Sequence, residues 1–510
     1  LVTYVLSGGR QNAGGRDLKR REFLQLAAGA TLGIAAKRNA PDLSFAIHDD
    51  PAKLPTDLTL LDAAGMGALL RKRKVSSVEL LKSHLAQIDR ENKRLNAIVT
   101  LDPEQAMARA RLADEALRKG ELWGPFHGVP VTFKDALSTA GMRTTAGFPP
   151  LKDYIPAEDA TVVARLKSAG AIVLGKTNMP TLAAGYYTDN PIFGMSNNPW
   201  NVGFSPGGST GGGAAAVASG MSPLEIGSDI AGSVRWPAHC CGVFTLKPTE
   251  WRVPWTGHIP ELPGHIRGVR HMLVVGPLAR SVRDLELALR VIAGADHKIW
   301  EIPPVSLSES GPISLTGLRV AYVPRFGDLP INSESLAGLD GLIKDLASHG
   351  VQVERTEIAG FDFDKADKLL DSLVRAESPD RPNSKPVTMR DYINLLSIKD
   401  ALTACMDDFL SRFDVLICPS GARQAFKHES DPKTVAIDER EVDYDTAAGW
   451  YVRPFSVTGN PAVVLPLLRC KDGLPIGVQL VGRRWTEMRL LAIASAVGEV
   501  TSGFHRPPMA

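Results

Sequence analysis

The chain has 510 residues, 44% of them hydrophobic and 22% charged, with 58 basic against 56 acidic side chains. That is long enough for a large core and ordinary for a globular protein. A net charge of +2 gives no electrostatic footprint for nucleic acid and no polybasic patch for a membrane surface.

In chain order, the first distinctive stretch is basic. Lys19-Arg20-Arg21-Glu22-Phe23-Leu24 precedes LAAGATLGIAA (26–36), and Lys37-Arg38 follows. An apolar run this short cannot span about 30 Å of hydrocarbon as a helix, but it suits a basic region followed by a short hydrophobic one. The paired arginines before x-Phe-Leu resemble a twin-arginine export signal, which moves folded proteins out of the bacterial cytoplasm. Lys19 stands where Ser or Thr is usual. Residues 1–40 are therefore expected to be a signal and 41–56 a linker, with the mature protein periplasmic or secreted, or cytoplasmic if the segment is no signal.

From 57 to 505 the pattern alternates helix and strand and is expected to be one domain. SSVELLKSHLAQIDREN (76–92) opens with a capping box, Ser76 to Glu79, and repeats Val78, Leu81, Leu85 and Ile88 at helical spacing. DATVVARLKSAG (159–170) predicts a helix closed by Gly170, and AIVLG (171–175) a buried strand. SVRDLELALRVIAG (281–294), SESLAGLDGLIKDLASHG (333–350) and TEMRLLAIASAVGEV (486–500) predict helices. LRVAYV (318–323), VQVER (351–355), DVLICP (414–419), AVVLPL (462–467) and IGVQLV (476–481) predict strands. ESPDRPNSKP (377–386) reads as a loop. The alternation argues α/β architecture, a mixed β-sheet sandwiched by helices on both faces.

Three segments carry chemistry. HGVPVTFKDA (127–136) alternates as a strand, so Lys134 and Asp135 face opposite ways. This matters because only roughly 0.04% of an ordinary lysine is neutral at pH 7. Lowering its pKa towards 7 by burial costs about 4–5 kcal/mol, so a lysine base needs a dry pocket. In SPGGSTGGGAAAVASG (205–220) the glycines let the chain fold tightly around Ser209, and a helix begins just behind it. In GSDIAGS (227–233) small residues before Ser233 leave backbone N–H groups open to a bound carbonyl. Taken singly, each is also a solvated lysine, a flexible loop or a turn.

Other matches fail on their own chemistry. Gly203-Phe204-Ser205-Pro206-Gly207 fits G-x-S-x-G, but Pro206 has no N–H to offer an oxyanion. Ser430-Asp431-Pro432-Lys433 fits S-x-x-K, but Pro432 opposes the helix that motif needs. His127 and His239 lie near the motifs and are expected to be structural. The five cysteines, including the adjacent Cys240 and Cys241, lack metal-ligand spacing and are expected as free thiols.

In this order the segments resemble the amidase signature family of serine hydrolases. NPWNVGFSPGGSTGGG (198–213), GSDIAGSVRWPA (227–238), GVFTLKPT (242–249), PFSVTGNPAVVLPL (454–467) and GLPIGVQLVG (473–482) carry the resemblance. It implies Ser233 as nucleophile, Ser209 as the bridging serine after a cis peptide bond, and Lys134 as base. It also implies an oxyanion hole from the N–H groups of Ile230, Ala231, Gly232 and Ser233. Thr210 replaces the second serine of the usual GGSSGG, and Ala231 the first glycine of the usual GGS. The implied reaction hydrolyses an amide through an acyl-enzyme, with no metal or organic cofactor. The partner is a small-molecule amide, with no nucleic acid and no stable membrane span after signal removal; a homo-oligomer is compatible. Two alternatives are the glutaminase component of a tRNA-dependent amidotransferase and a non-catalytic exported binding protein of the same fold.

Overall fold

In a computed structural model of the chain, residues 57–260, 268–378, 386–429 and 433–508 are described. The expected signal and linker (residues 1–56) lie outside them, as does most of the polar loop expected at 377–386.

Among the described residues thirteen strands follow in chain order: β1 (Ile98–Leu101), β2 (Pro130–Lys134), β3 (Ile172–Thr177), β4 (Leu224–Asp229), β5 (Phe244–Lys247), β6 (Val274–Ala279) and β7 (Arg319–Tyr322). They continue with β8 (Gln352–Arg355), β9 (Val415–Pro419), β10 (Thr434–Ile437), β11 (Arg440–Asp443), β12 (Ala462–Arg469) and β13 (Pro475–Val481). Eleven form one mixed sheet in the order β1-β3-β2-β4-β6-β5-β12-β13-β9-β7-β8. β2 runs parallel to both β3 and β4, whereas β4–β6 and β12–β13 are antiparallel. The central strands β2, β4, β6 and β13 are buried at every position. Such strands need cover on both faces, and the polar residues they carry, Lys134 on β2 and Glu225 and Asp229 on β4, are buried with them. The edge strand β8 is largely exposed and carries Glu354 and Arg355, charges that discourage a further strand from pairing.

The helices form where capping and periodicity place them. Ser77–Leu95 starts at a full capping box, in which Ser76 Oγ accepts the Glu79 N–H and the Glu79 carboxylate accepts the Ser76 N–H. Val282–Ile292 is capped by Ser281, whose hydroxyl accepts the Asp284 N–H. The predicted helix around 159–170 is Thr161–Ser168, and Gly170 takes φ +96° just past its end. The β10–β11 hairpin and the short helix Tyr444–Gly449 leave no clear mark on the sequence, because their four- to six-residue lengths carry too few periods to register.

Candidate active site

Lys134 ends β2, an interior strand between β3 and β4, and is fully buried. Its Nζ lies 2.6 Å from Ser209 Oγ and 3.0 Å from Ser228 Oγ, with the Ser228 carbonyl oxygen at 3.5 Å. Burial drives its pKa down to about 7, against the opposing pull of the Asp229 and Glu225 carboxylates. Asp135 turns away, as alternation requires, and Thr145 donates to its carboxylate through N–H at 3.1 Å.

Ser209 follows a cis Gly208–Ser209 peptide bond and is fully buried. The helix Gly211–Ala218 starts two residues later and packs against β2 and β4. Most glycines of this run serve close approach rather than unusual backbone angles. A Cβ on Gly212 would sit 2.5 Å from Asn178 N, and one on Gly213 would sit 2.5 Å from the Glu225 side chain. Thr210, the departure from the family pattern, lays its methyl on Gly227: a Cβ there would meet Thr210 Cγ2 at 2.6 Å.

Ser233 lies in the turn between β4 and the helix Arg235–Cys241 and is 8% exposed. Its carbonyl accepts the Thr210 N–H at 3.1 Å, which ties the two serine segments together. Among the described residues the Ser233 hydroxyl has no hydrogen-bond partner.

Asp229 organises this turn. Its carboxylate accepts the N–H groups of Gly232 (2.8 Å) and Val234 (3.1 Å) and a two-point ion pair from Arg235 (2.9 and 3.1 Å). Burial would raise its pKa, but the Arg235 guanidinium and these N–H donors hold it below the usual carboxylate value. Arg235 also donates to Val452 O, Gln479 Oε1 and Ser456 Oγ, so the buried pair is saturated. The Gly232 N–H is thus already engaged by Asp229. The N–H groups of Ile230, Ala231 and Ser233 have no acceptor among the described residues. Gly232 itself has φ +113° and lies against Val452. The Ala231 carbonyl accepts from Tyr186 Oη at 2.7 Å, and Arg453 Nε donates to that hydroxyl at 2.9 Å.

The remaining candidates are structural. His127 accepts the Trp123 N–H and touches the Ala113 carbonyl. His239 bridges Ser420, Arg423 O and the Gly477 N–H, and burial lowers its pKa to about 4. The Ser205 hydroxyl accepts the Gly207 N–H, a turn contact. Residues 430–432 of the S-x-x-K match lie outside the described residues. The five cysteines are free thiols, and no group among the described residues has the ligands for a metal. No described helix is long and apolar enough to cross a membrane.

Ser228, Asp229, Arg235 and Tyr186 are neighbours of these residues that the motifs do not single out. For Ser228 a signal exists: β2 and β4 are parallel neighbours with Phe133 beside Ile226, so a residue at the end of β4 must lie beside Lys134.

Comparison with known proteins gives the family. A profile of the amidase family matches residues 79–381 and 365–491. The indoleacetamide hydrolase of Bradyrhizobium diazoefficiens is 32% identical over 464 residues, 85% of each chain. A glutamyl-tRNA(Gln) amidotransferase subunit from Roseiflexus castenholzii is 32% identical over 502 residues, 89% of this chain and 98% of that one. Among solved structures, 6-aminohexanoate cyclic dimer hydrolase superposes with a TM-score of 0.76 at 28% identity, covering 89% of this chain and 99% of that one. The chain belongs to the amidase family, the amidase signature enzymes, and it is an enzyme that hydrolyses carboxylic amides.

Proposed function

We propose that hydrolysis runs through Ser233 as nucleophile, Ser209 as proton bridge and Lys134 as base. The observation that carries this is a fully buried lysine amine 2.6 Å from Ser209 Oγ, with its pKa brought down to about 7. Neutral Lys134 takes a proton from Ser209 while Ser209 takes one from Ser233. The Ser233 Oγ–carbon bond forms, and the carbonyl π pair moves onto oxygen. The N–H groups of Ile230, Ala231 and Ser233 hold that oxyanion, while Gly232 contributes by keeping the turn on Asp229. The relay then runs backwards, the leaving nitrogen takes the proton, and the C–N bond breaks. Water, activated by the same relay, cleaves the acyl-enzyme to carboxylic acid and regenerates Ser233.

The reading extends to a small-molecule amide as substrate, supported by the relationship to indoleacetamide hydrolase and by the half-buried Ile230 and Ala231 in the turn. A second reading, a glutaminase working within an amidotransferase, is favoured by the glutamyl-tRNA(Gln) amidotransferase relatives at 30–32% identity. An ammonia-release assay across aliphatic, aryl and indole-type amides and glutamine separates them. Turnover of free amides by the chain alone supports the first reading; release from glutamine only, in the presence of partner proteins, supports the second. We also propose that Arg20-Arg21 and the apolar run 26–36 address the protein for export.

A further inference from the structure

The ring of His258 joins the hydrogen-bond chain of the residues assigned to the chemistry through Ser228. Its Nε2 lies 2.8 Å from Ser228 Oγ, the hydroxyl that sits 3.0 Å from Lys134 Nζ. The backbone holds it there. His258 bridges Leu137 in antiparallel fashion, the Ser138 N–H donates to Gly257 O, and the Ile259 N–H donates to Ala136 O. The segment bearing the histidine is therefore pinned to the three residues beyond Lys134's immediate neighbour. Gly257, with φ +82° and no room for a Cβ against Ala160, allows the close turn that aims the ring.

The donors and acceptors around the amine constrain the ring. A neutral amine has two N–H donors and one lone pair, and a base must aim that lone pair at the Ser209 O–H. Its N–H groups then need acceptors, and Ser228 offers Oγ and its carbonyl oxygen. The Ser228 hydroxyl, however, has a proton of its own. Left free to rotate, that O–H can point into the Lys134 lone pair and compete with Ser209 for it. An acceptor at 2.8 Å on the far side draws the proton away.

We propose that His258 is a positioning residue: as the Nδ1–H tautomer, its Nε2 takes the Ser228 proton and so keeps the Lys134 lone pair aimed at Ser209. The proposal rests on the reading of Lys134 as base. Asp229 and Glu225 on β4 are the carboxylates that act on the amine; neither stands in for His258, because the partners of Ser228 Oγ among the described residues are Lys134 Nζ and His258 Nε2, while Asp229 is engaged by Arg235 and Glu225 Oε1 receives the Thr177 hydroxyl at 2.7 Å.

The test compares His258→Leu, which removes the acceptor, with His258→Gln, which returns an amide oxygen at similar reach. With a turned-over amide, His258→Leu is expected to lower kcat at least about tenfold with KM changed less than about twofold, and His258→Gln to recover most of that loss. In a Ser228→Ala background, where no competing proton exists, His258→Leu is expected to have no further effect on kcat. If Leu does not fold at this position, His258→Met removes the strong acceptor with a more adaptable side chain. Wild-type kcat in the Leu or Met variant, a Gln variant as slow as Leu, or additive losses in the Ser228→Ala background would each overturn the proposal. Lys134→Met, assayed alongside, separates the two levels. Its retention of activity would sink the base reading, whereas its inactivity beside an unaffected His258→Leu would sink only the role of His258.

Discussion

If Lys134 is a base kept neutral by burial, it lowers the stability of the fold by an amount that depends on pH. In the unfolded chain its pKa is about 10.4; in the fold, burial brings it to about 7. Above pH 10.4 both states are neutral and the residue costs nothing. As pH falls the unfolded chain gains the proton first, so stability declines by about 1.4 kcal/mol per pH unit until the folded amine also titrates. At pH 7 the cost reaches about 4–5 kcal/mol, and below that it stays level. Lys134→Met keeps the bulk and removes the titration. Its stability relative to wild type should therefore be greatest at neutral pH and shrink by about 2–3 kcal/mol between pH 7 and pH 9. Other buried lysines, Lys176 and Lys247, cancel in this difference because both proteins contain them. Equilibrium urea unfolding at several pH values measures it. Wild-type kcat/KM should rise about tenfold per unit as pH increases towards 7 and then level off between pH 7 and pH 9, while Lys134→Met is inactive throughout. Lys134→Arg, whose guanidinium does not deprotonate, should be equally inactive. A stability difference that is flat with pH, or a Lys134→Arg enzyme within about tenfold of wild type, would refute the reasoning.

Ser233→Ala should lose activity by at least about 10⁴-fold with unfolding within about 0.5 kcal/mol of wild type, since its hydroxyl has no partner to strand among the described residues; ammonia release and thermal unfolding check both halves. Gly232→Ala should destabilise by about 2–5 kcal/mol, combining a left-handed angle with a Cβ that meets Val452 Cγ2 at 2.3 Å. Val452→Ala should relieve only the second part, which a urea double-mutant cycle resolves. Changing Arg20 and Arg21 to lysine should leave folded, active enzyme in the cytoplasm of a bacterial host; fractionation that finds no difference from wild type would remove the export proposal.

The elements legible in the sequence are those with several periods or a cap: Ser76 with Glu79, Ser281 with Asp284, and the largely apolar runs of β9, β12 and β13. Lys134, Ser209 and Ser233 are legible because each sits in a dense local motif, and the structure brings Lys134 to Ser209 and joins the two serine segments at Thr210. The rest depends on distant contacts. His258 meets Ser228 across 30 residues, and Arg453 meets Tyr186 across 267; neither spacing has a period or a composition to betray it. The engaged N–H of Gly232 is hidden for another reason. A motif names the residues of a turn, but only the fold shows that Asp229 claims one of its donors.

That claim has a consequence for how such an enzyme can change. The Asp229 carboxylate shapes the turn through Gly232, Val234 and Arg235, and it also acts on the Lys134 amine. Turn shape and base strength are thus not separate design variables. A substitution that reshapes residues 230–233 to admit a bulkier acyl group also shifts the charge felt by the base, and hence the pH at which the enzyme works. Variation in substrate range has an easier route through the surrounding segments, where side chains can be exchanged without disturbing this shared anion.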